Sequence, residues 1–145
     1  MSINHASDLP ISGNDPANIK LLKSALDSSI SGIIITDNTQ FDNPIIYCNK
    51  AFEGLSGYSR EEVIGRNCRF LQGNERNQQA REDIRKAVTG GDSITVELRN
   101  YRKGGELFWN ELYISPILGE AGQVTHFIGV QNDITRRKNA EENLQ

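Results

Sequence analysis

The chain has 145 residues, a length suited to one domain with a single hydrophobic core. Its 37% hydrophobic and 24% charged residues are typical of a soluble globular protein. A net charge of −3 gives no reason to expect nucleic acid or an anionic membrane as partner, and no apolar run approaches the ~20 residues of a membrane span. The opening residues 1–15 lack the features of a signal peptide, so we expect a flexible lead-in on a cytoplasmic protein.

The first elements after the lead-in are predicted from side-chain spacing. Apolar residues recur at helical intervals in ANIKLLKSALDSS, which predicts a flanking helix within residues 16–30. The β-branched run SGIIITD predicts a strand, and NPIIYCN predicts its hairpin partner after a turn through Asp42 and Asn43.

Two helices and three strands are predicted for the middle and end of the chain. Ser59 with Glu62 three residues later is the pattern of a capping box, which starts a short helix. A longer helix is predicted with Asn74 as its N-cap and a pair of glycines at its end. SITVELRNYRK, ELFWNELYISPIL and QVTHFIGVQNDI predict three antiparallel strands. We therefore expect an α+β domain over residues 31–134 with a five-stranded antiparallel sheet and short connecting helices, followed by a polar helix over residues 135–145.

The cysteines and histidines offer no obvious metal site. Cys48, Cys68, His5 and His126 are too few and too scattered to bind zinc, so no metal is expected, and a structural disulfide is not expected in a reducing compartment. Cys48 lies in a strand-like run and is interpreted as a small packing residue. Cys68 lies in the polar stretch GRNCRFLQG, between an amide and an arginine, and needs another explanation.

Three side-chain amides fall on the predicted inner face of the sheet. Because side chains alternate along a strand, Asn100, Asn110 and Gln131 each share a face with apolar residues. A buried amide without partners costs about 1–3 kcal/mol, so these three need each other or a common partner. Two interpretations stay open. The amides form an internal network or are exposed at strand ends, or they bind a flat heterocycle whose edge alternates donors and acceptors, with Gly129 leaving room for its ring.

A basic segment lies between the two halves of the predicted sheet. Residues 66–86 hold six basic and three acidic side chains, in a chain whose net charge is negative. Arg81 and Arg85 share one helix face, and clustered guanidinium groups suit a phosphate because each donates two parallel hydrogen bonds. For the arginines alone, a solvated helix face is the favoured interpretation. Together with the amides, they indicate a heterocycle with a phosphate tail.

The stretch GRNCRFLQG resembles the signature of the light-oxygen-voltage (LOV) domains, the flavin-binding blue-light sensors of the PAS superfamily, and in particular the short bacterial members. The resemblance continues in order and spacing through ITDNTQFDNPIIYCNKAFEGLSGYSREEVIGRNCRFLQG, LRNYRKGGELFWNELYISPI and HFIGVQND, over about residues 31–133. It implies a PAS fold that holds one flavin mononucleotide (FMN) non-covalently in the dark. It also implies a photoreceptor that is not an enzyme.

In this resemblance Cys68 matches the photoactive thiol. Under blue light the thiol adds to flavin carbon 4a while flavin N5 gains a proton, and the bond breaks again in the dark. An apolar pocket should keep this thiol neutral in the dark, because burial disfavours the thiolate. Gln131 matches the glutamine beside flavin N5 and carbonyl 4, whose amide should flip or shift when N5 becomes a donor.

The resemblance places further residues at the flavin. Arg69 and Arg85 match phosphate-binding arginines, and Asn100 and Asn110 match the residues that hydrogen-bond the pyrimidine edge of the ring. The remaining flavin-binding positions are Thr36, Asn43, Asn67, Leu71, Gln72, Arg76, Arg81, Leu112, Phe127 and Gly129. Leu112 stands where many plant members carry phenylalanine, which should change ring packing and adduct lifetime. Arg76 and Arg81 resemble extra arginines of some short bacterial members, so we expect them to extend the phosphate clamp and slow dark recovery.

The outer face of the sheet is predicted to be too apolar to face water alone. Its residues are Tyr101, Trp109, Tyr113, Ile128 and Val130. We expect a flanking helix or a second copy to cover it, and the resemblance favours a homodimer through this face and the flanking helices. The signal would run from Gln131 through the last strand to the tail helix and to a fused or separate effector. Neither nucleic acid nor a membrane is an expected partner.

Two other functions stay open. A PAS module that binds another ligand, or only dimerises, would be colourless. A flavoenzyme that uses Cys68 for redox turnover would accept electrons from a nicotinamide cofactor in the dark, although the chain carries no dinucleotide-binding glycine fingerprint. Riboflavin or FAD in place of FMN is also left open.

Overall fold

A computed structural model of the protein describes residues 15–73, 75 and 78–143. The elements in chain order are α1 Pro16–Asp27, β1 Gly32–Asp37, β2 Ile45–Cys48, α2 Lys50–Ser56, α3 Arg60–Val63, a 3₁₀ helix Cys68–Gln72, α4 Gln79–Gly90, β3 Ile94–Tyr101, β4 Leu107–Leu118, β5 Val124–Asp133 and α5 Thr135–Asn143. The predicted lead-in apart from Asp15, together with Asn74 and Arg76, lies outside the described residues.

The strands form one antiparallel sheet in the order β2-β1-β5-β4-β3, which confirms the predicted five-stranded α+β fold. The first strand pairs with the last, so β1 and β5 lie in the middle of the sheet. The segment from α2 to α4 connects β2 at one edge with β3 at the other, and it contacts β1 through α2 and β3 through the 3₁₀ helix and α4. This crossing segment carries Cys68 over one face of the sheet.

The capping box that the sequence predicts opens α3. The Ser59 backbone N–H donates to Glu62 Oε1 at 2.9 Å, and the Glu62 N–H donates to Ser59 Oγ at 3.3 Å. Each side chain therefore satisfies a backbone donor at the end of the helix that no intrahelical carbonyl can reach.

The predicted start of the longer helix is wrong, because α4 begins at Gln79. The residue before it, Gln78, has an extended backbone, and its side chain does not cap the helix. Instead its amide Nε2 donates to the Arg99 carbonyl at 2.9 Å, and its Oε1 accepts from the Arg99 N–H at 2.8 Å. This tie to β3 fixes where the helix begins, and it involves a residue distant in sequence.

The hydrophobic core lies between the sheet and the crossing segment. Its central cluster contains Ile34, Ile45, Cys48, Phe52, Val63 and Leu71. Cys48 is 2% exposed and is a free thiol, in keeping with its interpretation as a packing residue. Cys68 packs against the edge of the same cluster.

The tail helix α5 lies against the outer face of β3 and β4. Lys138 Nζ lies 4.9 Å from the centre of the Trp109 ring and 2.5 Å from Glu97 Oε1, and Thr135 Oγ1 accepts from the Trp109 N–H at 2.8 Å. The helix covers only part of the predicted outer surface, since Tyr113 remains 40% exposed. Within the described ranges, no helix has the length and apolar character needed to cross a membrane.

Candidate functional site

Cys68 is held at the first position of the 3₁₀ helix by hydrogen bonds from its neighbours. Asn67 Oδ1 accepts from the Arg69 N–H at 3.0 Å and so caps the helix start. Asn67 Nδ2 donates to the Asp42 carbonyl in the β1–β2 turn at 2.7 Å. The residues on both sides of the thiol are therefore fixed, and Asn67 is also tied to the β1–β2 turn.

Three adjoining cavities form one cleft between the sheet and the crossing segment. Asn67 and Ile84 line all three, and Cys68 lines two of them. Their volumes are about 110, 400 and 100 Å³. Small-molecule sites commonly span about 300–1,000 Å³, so the cleft has the size of a site for a cofactor.

The chemistry of the cleft changes along its length. One part is lined by apolar residues around the thiol, among them Ile34, Leu112 and Phe127. A second part adds the amides Asn100 and Asn110. The third part is basic and polar, and its lining includes Arg69, Gln72, Arg81 and Arg85. The structure thus brings the thiol, the amides and the arginines of the sequence prediction into one cleft.

The structure places the remaining predicted site residues as follows. Thr36, Asn43 and Gly129 line the apolar part. A Cβ atom at Gly129 would lie 3.1 Å from Ile34 Cγ1, so a larger residue there would have to push the Ile34 side chain aside. Leu71 is buried in the core cluster and is not among the lining residues of the three cavities. Gln131 is 1% exposed and reaches the cleft lining through Asn110.

The three amides form a hydrogen-bonded row that is only partly satisfied. Asn110 Nδ2 donates to Asn100 Oδ1 and to Gln131 Oε1, both at 2.9 Å. Asn110 Oδ1 and Gln131 Nε2 are buried and have no hydrogen-bond partner among the described residues. Because each unpaired atom costs about 1–3 kcal/mol, an internal network alone does not explain the row. One acceptor and one donor remain for a ligand edge that offers the complementary pair.

Two more buried oxygens are unpaired within the part of the chain that the structure describes. They are Asn43 Oδ1 and Gln72 Oε1, and both residues line the basic part of the cleft. Gln72 follows Leu71 at the end of the 3₁₀ helix and is 7% exposed. Four unsatisfied atoms around one cleft indicate a polar ligand that completes their hydrogen bonds.

The Cys68 thiol is kept neutral by its surroundings. Burial raises the pKa of this thiol to about 12. The residue still keeps partial solvent exposure because it borders the cleft. Burial also raises the pKa of the Cys48 thiol, to about 11. At neutral pH both sulfurs therefore carry their protons, and neither is an activated thiolate nucleophile.

Alkaline pH should therefore weaken the fold through Cys68. Its pKa is about 12 in the folded protein against an ordinary value of 9.0, so the unfolded chain loses this proton first. The contribution to the free energy of unfolding is complete below pH 9 and is lost as the pH rises from 9 to 12. Between pH 8 and pH 11, the urea midpoint should fall less steeply for Cys68→Ala than for the wild type. An equal decrease of the urea midpoint with pH in the two proteins would contradict the burial of the Cys68 thiol.

Carboxylates pair with two of the arginines at the basic end. Arg69 Nη1 and Nη2 donate to Asp42 Oδ1 and Oδ2 at 2.9 and 2.5 Å. Arg69 lowers the pKa of the Asp42 carboxyl through these hydrogen bonds. Arg85 pairs with Glu82 one turn earlier on α4, at 2.5 Å, in a strongly exposed ion pair. The arginines therefore enter the cleft as paired but solvent-accessible groups.

Several residues of the cleft were not predicted. Ile84 lines all three cavities, and Val88 lines two of them. With Arg81 and Arg85 they occupy positions i, i+3, i+4 and i+7 of α4, so the helical spacing in AREDIRKAV carries the signal that one face of α4 meets the cleft. Asp42 also lines the basic cavity, and only its place in a turn was predicted.

Comparisons with known proteins agree with this architecture. The profile of the PAS domain matches residues 30–136. A LOV domain from the Erythrobacter litoralis EL346 blue-light-activated histidine kinase is 41% identical, with a TM-score of 0.69 over 72% of this chain and 96% of that chain. An RNA-binding light-oxygen-voltage receptor is 42% identical, with a TM-score of 0.83 over 94% of this chain and 38% of that chain.

A curated relative shows the same similarity. The blue-light-activated histidine kinase of Rhizobium johnstonii is 40% identical over 137 residues, which are 92% of this chain and 40% of that protein. The chain spans less than half the length of the curated relatives that it matches.

Proposed function

Because the chain belongs to the LOV domains of the PAS family, we propose that it is a blue-light photoreceptor that binds FMN in the cleft and forms a reversible bond between the Cys68 sulfur and flavin carbon 4a. One observation carries the proposal. A single cleft contains a neutral thiol, a row of amides with an unpaired acceptor and an unpaired donor, and a basic end.

The residues of the cleft fit a flavin in three places. The pyrimidine edge of a flavin alternates C=O and N–H groups, and Asn110 Oδ1 with Gln131 Nε2 offers the complementary acceptor and donor. The apolar part, with Ile34, Leu112 and Phe127, suits the ring. The basic end, with Arg69, Arg81 and Arg85, would hold the phosphate, and we extend this proposal to Arg76 from the sequence resemblance.

When bound, the flavin would supply the absorption of blue light and a carbon that accepts a sulfur nucleophile. The Cys68 sulfur would contribute the electron pair of the new S–C bond, the S–H bond would break, and the proton would pass to flavin N5 as the double bond between carbon 4a and N5 becomes single. In the dark the S–C bond would break and the proton would return to the sulfur, so no external oxidant or reductant is needed. The raised pKa of Cys68 keeps the proton on the sulfur before illumination.

Gln131 would report the change at N5. Its Nε2 is buried and unpaired, while its Oε1 accepts from Asn110. A protonated N5 needs an acceptor, so the amide of Gln131 would rotate and withdraw Oε1 from Asn110. Residues 131–133 end β5 just before α5, so a rotation at Gln131 acts close to the start of the tail helix.

Flavin binding is tested by titrating the flavin-free protein with FMN, riboflavin and FAD while following flavin fluorescence. We expect one FMN per chain and weaker binding of riboflavin, which lacks the phosphate. A protein that binds none of the three flavins would contradict the proposed function and favour a PAS module for another ligand.

We also propose how the signal leaves the domain. Glu97 holds α5 through Lys138 and Arg137, and Lys138 lies over the Trp109 ring. These ion pairs are exposed or half-buried and contribute about 0–1 kcal/mol each, so α5 can separate from the sheet at small cost. We further propose that the protein forms a homodimer through the outer sheet face and the flanking helices. It would act in the cytoplasm and signal to a fused or separate effector. Exposed Ile19, Leu22 and Tyr113 support the dimer.

Replacing Glu97 with glutamine should loosen α5 even in the dark. Lys138 loses a carboxylate at 2.5 Å, so the helix should leave Trp109 more often. We expect proteolytic cleavage within the tail to rise about three- to tenfold, as for a loss of about 1 kcal/mol. The fluorescence of Trp109, the single tryptophan, should change in parallel. Glu106→Gln is the matched control, because Glu106 pairs with Arg102 in the β3–β4 hairpin. Equal cleavage of both variants would contradict this role of Glu97.

A further inference from the structure

The basic end of the cleft contains a carboxylate of its own. Asp42 lines the cavity of about 400 Å³ together with Arg69, Arg81 and Arg85. Both of its oxygens are engaged by Arg69, at 2.9 and 2.5 Å. This is the bidentate geometry in which one guanidinium presents two parallel donors to one anion. A phosphate that reached Arg69 would use the same two donors.

The backbone holds Asp42 in place independently of this ion pair. Asp42 and Asn43 have φ angles of 63° and 52°, the left-handed region that Asp and Asn tolerate better than most residues. The Asp42 carbonyl accepts from Asn67 Nδ2 at 2.7 Å, which ties the turn to the start of the 3₁₀ helix. The backbone conformation is compatible with either Asp or Asn at this position, so the turn does not require the negative charge that Asp42 places beside the arginines.

We propose that Asp42 is a specificity-determining residue of the flavin site, whose carboxylate competes with the ligand's phosphate for Arg69. The inference rests on the proposed function. In the structure the carboxylate occupies the donors of Arg69 and places a negative charge in the cavity that would receive a dianionic phosphate. It therefore weakens the binding of FMN relative to riboflavin, which has no phosphate to pair with Arg69.

The solvent exposure of the Asp42–Arg69 pair would allow a phosphate to replace the carboxylate at Arg69. Arg69 and Asp42 side chains are 41% and 42% exposed, so water and salt reach the pair. An exposed pair of this kind separates at small cost, and a phosphate can replace the carboxylate without a rearrangement of the core. Asp42 would then occupy Arg69 until the phosphate displaces it, and so lower the preference of the site for the phosphorylated flavin.

The test is the ratio of the dissociation constants of riboflavin and FMN, measured by fluorescence quenching for the wild type and Asp42→Asn. Asparagine tolerates the same backbone conformation and removes the charge. We expect FMN to bind about five- to tenfold more tightly to Asp42→Asn with riboflavin unchanged, and the gain to shrink as salt is added. Glu61→Gln, an exposed carboxylate on α3 outside the lining of the cavity, makes the same change in net charge and should leave the ratio unchanged.

Three results overturn the inference, and they differ from one another. An unchanged or lower ratio in Asp42→Asn, with both flavins still bound, would mean that Asp42 orients Arg69 for the phosphate rather than competing with it, and would leave the proposed function intact. Failure of the wild type to bind either flavin would overturn the proposed function and this inference together. An equal gain in Glu61→Gln would assign the effect to net charge alone and would also overturn the role of Asp42.

Discussion

Replacing Cys68 with alanine is expected to abolish the blue-light absorption change of the flavin-loaded protein. Cys68 supplies the one thiol that lines the cleft among the described residues, and alanine cannot form or break a bond to carbon. Flavin affinity should stay within about threefold, because only a small contact is lost. The measurement is the absorption spectrum before and after a blue flash. A reversible change of undiminished amplitude in Cys68→Ala would contradict the assignment.

Cys48→Ala is the matched control, since it makes the same chemical change at the other thiol. Cys48 is 2% exposed and lies in the core cluster. We expect the light response to remain, while the free energy of unfolding falls by about 1–2 kcal/mol because a buried side chain is truncated. The pair of variants thus separates a thiol that reacts from a thiol that packs.

Asn110→Leu is expected to have the second large effect, on both ligand binding and stability. Asn110 Nδ2 is the donor to Asn100 Oδ1 and Gln131 Oε1, so leucine leaves two buried oxygens without a donor. The change also removes Asn110 Oδ1, which is itself unpaired in the absence of ligand. The net loss in the free energy of unfolding without flavin should be about 1–3 kcal/mol. FMN affinity should fall about 10- to 100-fold, because the pyrimidine edge loses its acceptor.

The control for this change is Asn132→Leu, the same substitution on the opposite face of the sheet. Asn132 Oδ1 accepts one hydrogen bond, from Ser31 Oγ at 2.7 Å, and the residue is partly exposed. Urea unfolding and flavin titration of both variants give the comparison. Flavin affinity should be unaffected in Asn132→Leu, and an equally small effect in Asn110→Leu would contradict the role of the amide row.

The parts of the site that follow a local period could be predicted from the sequence. Alternation along a strand is fixed by the backbone, so Asn100, Asn110 and Gln131 had to share a face once their strands were identified. Their roles in flavin binding could be predicted only from the resemblance to LOV domains, because strand alternation does not identify a ligand. The α+β class followed from the order of helices and strands along the chain, and the PAS fold followed from the same resemblance.

The parts that depend on distant contacts could not be predicted in this way. The start of α4 is set by the bond between Gln78 and Arg99, which a local capping pattern does not contain. The pairing of Asp42 with Arg69 joins residues that are 27 positions apart in the sequence. Leu71 lies in a 3₁₀ helix, whose short period gives little information about which neighbour faces the core and which faces the cleft.

In the light, we propose, the Cys68 sulfur exchanges its proton for a bond to flavin carbon 4a. A light-minus-dark infrared difference spectrum of the FMN-loaded protein measures the S–H stretching band directly, and Cys48 provides an unreactive thiol in the same sample. We expect blue light to remove one S–H band, the band to return in the dark at the rate of the absorption recovery, and Cys68→Ala to lack the signal. An S–H band that persists while the flavin absorption changes would contradict the account.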